Sequence, residues 1–95
     1  MKIVWTKLAI ADLNHVYDFI AQENISAAGR VINRIHEATQ SLVYYPDLGR
    51  PGRVKGTQEL FISSTPFALV YRVKQDRIEI LSVLHTSRKW PDSFN

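Results

Sequence analysis

The sequence predicts an α+β domain with its elements in the order β-α-α-β-β-β, a helical hairpin packed on a small, mainly antiparallel sheet. Two observations carry this. Residues 57–85 read as three short strands with period-two alternation, joined by connections too short for crossover helices, so they should form an antiparallel meander. Residues 7–22 and 27–44 instead repeat their apolar positions at spacings of three and four, the signature of amphipathic helices.

Lys2–Trp5 is short and apolar, a first strand whose neighbour in the sheet the pattern leaves open. Thr6 is placed to cap the helix that follows, because its hydroxyl can accept a free amide of the first turn. Leu13, Val16, Tyr17 and Ile20 form the stripe of that helix, extended by Ala9, while Asp12, Asn14, His15 and Asp18 fall mostly off it. Ser26 is the cap expected for the second helix, which carries Val31, Ile35, Ala38 and Leu42 on one face and ends before Pro46. Asp47-Leu48-Gly49-Arg50-Pro51-Gly52 is a turn cluster inside the domain. The strands are then Thr57–Ile62, Phe67–Val73 and Ile78–His85. In the third, Ile78, Ile80, Ser82 and Leu84 should share one face and Glu79, Leu81, Val83 and His85 the other. Thr86 to Asn95 leaves the sheet, and Trp90 and Phe94 are available there to cover the core or meet a partner.

The 95 residues suit one domain, residues 1–95. There are no cysteines, which removes disulfides and thiolate metal sites and fits a reducing cytoplasm. No apolar run reaches the ~20 residues a membrane helix needs, and the N-terminus lacks the apolar core of a signal peptide, so a cytoplasmic location is expected. The formal charge is +3. The cations concentrate late, at Arg50, Arg53 and Lys55 and again at Arg72, Lys74, Arg77, Arg88 and Lys89, whereas the acids gather earlier. Should the two basic stretches meet, they make one patch suited to an acidic or nucleic-acid partner.

Charged or imidazole side chains interrupt the strands only at Glu59, Arg72, Glu79 and His85. His85 with Arg88, Arg72, Lys55 and Glu59 could act as an acid–base and phosphate-clamp set for RNA cleavage, since RNA supplies its own nucleophile and needs no metal. Against this, His85 can simply cap the sheet edge, and Glu59 can pair with Arg72 across two strands. His15, His36 and His85 lack metal-ligand spacing, so neither a metal nor another cofactor is expected.

One ordered series of residues runs almost the length of the chain. It comprises Trp5-Thr6 before Ala11-Asp12-Leu13, Ala27-Ala28, Pro46-Asp47-Leu48-Gly49-Arg50, Gly56-Thr57-Gln58-Glu59-Leu60, Pro66-Phe67-Ala68-Leu69-Val70-Tyr71-Arg72-Val73, Ile78-Glu79-Ile80-Leu81-Ser82-Val83-Leu84-His85 and Arg88-Lys89-Trp90-Pro91. In this the chain resembles the RelE/ParE family of toxins from bacterial type II toxin–antitoxin pairs, nearer the ParE side. The resemblance implies a growth-arresting toxin that inhibits DNA gyrase and forms a hetero-oligomer with a cognate acidic antitoxin, whose C-terminal segment folds on binding. Arg50, Arg53, Lys55, His85, Arg88, Lys89, Trp90 and Phe94 would then meet the target. The alternative it implies is a RelE-like, ribosome-dependent messenger-RNA endonuclease with His85 as acid or base. Ala68 stands where several ribonuclease members of the family hold a basic residue, and Gln58 stands where ParE-like sequences usually hold arginine.

Overall fold

A computed structural model of the chain describes residues 1–87, 91, 93 and 94. The elements run β1 (Lys2–Trp5), α1 (Lys7–Ala21), α2 (Ile25–Tyr44), β2 (Arg50–Pro51), β3 (Gln58–Phe61), β4 (Phe67–Val73) and β5 (Arg77–His85). The five strands lie in the order β1-β5-β4-β3-β2. All neighbours are antiparallel except β1, which runs parallel to β5 with Trp5 beside Ile80.

Thr6 joins the first strand to the first helix. Its hydroxyl accepts from the Ala9 amide at 3.2 Å and donates to the Ile80 carbonyl at 2.8 Å, so the cap also bolts the helix start to β5. The cap of α2 is Asn24, whose side-chain oxygen accepts from Ala27 at 3.0 Å. Ser26, the expected cap, lies inside the first turn. Both residue types cap well; the helix begins where Asn24 is extended and Ile25 is not.

The hairpin buries Ala9, Val16, Ile35 and Leu42 against Leu69, Tyr71, Ile78, Ile80 and Val83 of the sheet. This is the larger core. A smaller cluster on the second face joins Ala68, Val70 and Leu81, with Leu84 and Phe94 packed over it. Phe94 is therefore a cover for the sheet's second face.

The regular alternation expected along β5 breaks at Leu81. Tyr71 faces Ile80 and Val70 faces Ser82, which leaves Leu81 without a partner: a β-bulge. The extra residue reverses the phase of the strand. Val83 joins Ile78 and Ile80 under the helices, and Leu84 joins Leu81 on the second face. Asp12 of α1 secures the bulge: its carboxylate accepts from the Ser82 hydroxyl and, at 3.1 Å, from the Val83 amide. No helix among the described residues is long and apolar enough to cross a membrane.

Candidate interaction site: a stapled basic loop

The turn cluster after α2 carries the first basic stretch, and the sheet holds it in place. Tyr71 of β4 is fully buried. Its hydroxyl donates to the Pro46 carbonyl at 2.9 Å and accepts from the Gly49 amide at 2.8 Å. A Cβ on Gly49 would fall 2.6 Å from that hydroxyl oxygen and 2.7 Å from the Glu59 carbonyl, so the close approach admits only glycine. Burial pushes the Tyr71 phenol above its ordinary value; the Gly49 amide opposes the shift and Asp47 adds to it. Gln58, the residue in place of the family's usual arginine, donates from Nε2 to the Gly49 carbonyl at 3.4 Å and so helps to hold the loop.

The far half is pinned as well. The Thr57 hydroxyl donates to Val54 O at 2.6 Å, and the Gly52 amide donates to Thr57 O at 2.8 Å. Gly56 turns the chain at φ +81, a conformation natural to glycine. Glu59, only 4% exposed, accepts from the Arg53 amide at 2.7 Å and lies 3.4 Å from the Arg53 Nε. Its charge is thus met by the loop. Arg50 lays its guanidinium 4.4 Å from the centroid of the exposed Phe61 ring. Lys55 stands exposed at the tip. Loop and edge strands therefore present Arg50, Arg53 and Lys55 from a fixed backbone.

The structure separates residues that the sequence grouped. Directly opposite residues share a face, so Arg50, Glu59 and Val70 lie in one row on the second face. Arg72 lies on that face too, opposite Glu79, and its Nε donates to Glu79 at 3.0 Å. The expected Glu59–Arg72 pair is therefore replaced by two others, because Glu59 faces Val70 and Arg72 is only its diagonal neighbour. Arg77 also grips Glu79, at 3.0 Å. Its hydrogen bond, then that of Arg72, holds the Glu79 carboxyl below the ordinary carboxylate range.

His85 is elsewhere. The bulge turns it to the helix side, opposite Phe67, with the two rings edge to face at a centroid distance of 5.6 Å. It lines an open cleft of about 330 Å³ with His15 and Phe19 of α1. The Ser87 amide donates to its Nδ1 at 3.2 Å, which places the proton of the neutral ring on Nε2. Ala68 is fully buried beneath Phe94, in the smaller core cluster. Arg88, Lys89 and Trp90 lie outside the described residues. Among the described residues no group of three or more His, Cys, Asp or Glu side chains is placed to hold a metal ion.

A helical hairpin across one face of this sheet defines a RelE/ParE-like toxin fold, and comparison with known proteins supports that class. The structure matches a chain of the chromosomal ParDE toxin–antitoxin system from P. aeruginosa with a TM-score of 0.77 and 32% identity, covering 87% of this chain and 92% of that one. Among curated relatives, the putative toxin Y4kP of Sinorhizobium fredii is 40% identical over 95% of this chain and 93% of its own length. The toxin RelE2 of Caulobacter vibrioides is 32% identical over 92% of this chain and 97% of its own. Residues 3–90 match the family described as the ParE toxin of the type II toxin–antitoxin system, parDE. The chain belongs to this family and is a toxin of the ParE/RelE type.

Proposed function

We propose that the chain is a ParE-like inhibitor of DNA gyrase, neutralised by a cognate acidic antitoxin in a hetero-oligomer. The observation that carries the reading is the dispersal of the groups that RNA cleavage would need. His85 lies on the helix side of the sheet, while Arg72 and Glu59 lie on the other side and each is already engaged, with Glu79 and Arg53. A general acid or base must reach the proton it transfers, and the stabilising cation must stand at the same phosphate. Ala68, neutral and buried, supplies no charge where ribonuclease relatives would have one. What remains for contact with a target is a preformed basic loop, with a tail beginning at His85.

Binding alone is sufficient for this activity. An inhibitor that traps gyrase on cleaved DNA has to stabilise one state of the enzyme over another, and differential affinity does that without chemistry. The antitoxin fits the same electrostatics: a mildly basic toxin attracts an acidic segment, and exposed apolar residues such as Leu8, Ile10 and Phe19 on α1 offer area to hold it.

Purified toxin added to gyrase and relaxed plasmid tests the reading. Supercoiling should stop and cleaved DNA should accumulate, and the antitoxin should reverse both. Undiminished supercoiling at excess toxin rejects it. The RelE-like alternative draws on the His15–His85 cleft, and it predicts messenger cleavage in a cell-free translation system that is lost in His85→Ala.

A further inference from the structure

We infer that the Arg50–Lys55 loop is a phosphate-binding ridge that grips the backbone of duplex DNA, so the toxin touches the DNA held by gyrase as well as the enzyme. The inference rests on the gyrase reading for its setting but on the loop alone for its chemistry. Four observations lead to it.

First, three cations fall within six residues; of the neighbouring acids, Glu59 is buried and already answered by Arg53, while Asp47 stands exposed three residues before Arg50. From Arg50 to Lys55 the exposed charges are therefore all positive. Second, the loop is ordered before any partner arrives. Tyr71, Thr57 and Glu59 tie its backbone to the sheet at Pro46, Gly49, Gly52, Arg53 and Val54. Binding then requires little further ordering of the chain. Third, the Arg50 guanidinium carbon sits over the Phe61 ring, 4.4 Å from the centroid of an exposed side chain that gives the charge a fixed neighbour. A planar, oriented guanidinium suits bidentate contact with a phosphate better than a mobile ammonium does. Fourth, the ridge stands at the outer edge of the sheet, where β2 is only two residues long and Pro51 withholds an amide from the edge. The sheet is thus discouraged from extending by strand addition, and side chains form the contact. The ridge offers charges suited to a phosphate backbone, so contact should follow DNA shape and charge rather than sequence.

Fluorescence anisotropy of full-length toxin with a labelled 30-base-pair duplex reads the binding directly. Affinity should fall with salt at a log–log slope of about −2 to −3, the value for two or three phosphate contacts. Arg50→Ala/Lys55→Ala should weaken binding at least ~10-fold and flatten the slope by about 2. The charge-matched control Lys7→Ala/Arg30→Ala, on exposed helix positions, should leave both nearly unchanged. Arg50→Lys should keep the slope but lose affinity, since the charge remains and the forked, planar donor set does not. Equal losses in the two double variants would overturn the proposal, because net charge alone would then account for binding. Tighter binding to single-stranded RNA of the same length would also overturn it. In the supercoiling assay, Arg50→Ala/Lys55→Ala should inhibit gyrase less than the parent toxin. If it inhibits equally, the ridge proposal fails while the gyrase reading stands. If the parent toxin binds duplex DNA through the ridge yet leaves gyrase untouched, the gyrase reading fails and the ridge stands.

Discussion

Removing one oxygen atom at Tyr71 should loosen the whole basic loop. Tyr71→Phe preserves the buried ring, so no cavity forms and only the two hydrogen bonds are lost: the one donated to Pro46 at 2.9 Å and the one accepted from Gly49 at 2.8 Å. A fully buried group left without its partner costs about 1–3 kcal/mol. Pro46 and Gly49 are half-buried, so water can reach part of each. The sum should therefore come to about 2 kcal/mol, not twice the upper figure. For a domain of this size that corresponds to a fall of roughly 8–16 °C in Tm. Urea denaturation followed by circular dichroism gives the free energy directly, and the m-value should be unchanged because the core is intact. A loss under about 0.5 kcal/mol would mean that the Tyr71 hydroxyl does not hold the loop, since it is no more than an ordinary surface substitution costs. The alkaline limb supplies a second readout. Burial holds the Tyr71 phenol above its ordinary value of 10.0. The folded protein keeps this proton at pH values where the unfolded chain has released it. The associated stability is complete below that ordinary value and drains away as pH rises through the folded one. The phenylalanine variant has no such group, so the gap between it and the parent should narrow in alkali.

Three further outcomes follow from the same contacts. Gly49→Ala drives a Cβ to within 2.7 Å of the Glu59 carbonyl and should cost about 1–3 kcal/mol by urea denaturation; combined with Tyr71→Phe it should cost less than the two losses summed, because both act on one contact. Asp12→Ala strips the acceptor from Ser82 and Val83 at the bulge and should cost about 1–3 kcal/mol, with earlier hydrogen exchange at Val83 as its local sign. Glu79 is held below its ordinary value by Arg77 and then Arg72, so its contribution is present above that value and lost as pH falls through the folded one; Glu79→Gln should flatten the acid limb of the stability profile, and added salt should shrink the difference.

Much of the architecture was legible from periodicity because local signals and packing agree. Phe67–Val73, apolar except at Arg72, forms a strand over those same residues, and Thr6 caps the first helix as its hydroxyl suggests. The place of β1 was not legible: parallel pairing to β5 is a contact between chain ends, and a four-residue apolar strand records nothing of its neighbour. The bulge was hidden for a different reason. Leu81, Val83 and Leu84 are all apolar, so a phase reversal among them leaves no mark in the hydropathy pattern. That reversal decides the site, since it turns His85 toward α1 and away from Arg72 and Glu59. Asp12 read as a helix residue off the apolar stripe, yet it reaches β5, because the bulge frees polar groups there that need an acceptor. Tyr71 was hidden by its setting in an apolar strand. The signal that could have exposed it was the neighbouring Pro46…Gly49 turn, whose amide and carbonyl need partners.

If this toxin arrests cells by binding gyrase, DNA synthesis should fail before translation does. Inducing it without antitoxin while pulse-labelling DNA and protein synthesis in parallel separates the two targets. Incorporation into DNA should fall first, while messenger RNA stays intact and translation continues for a time. Translation failing first, with messenger RNA cut and DNA synthesis still running, would rule out gyrase as the target.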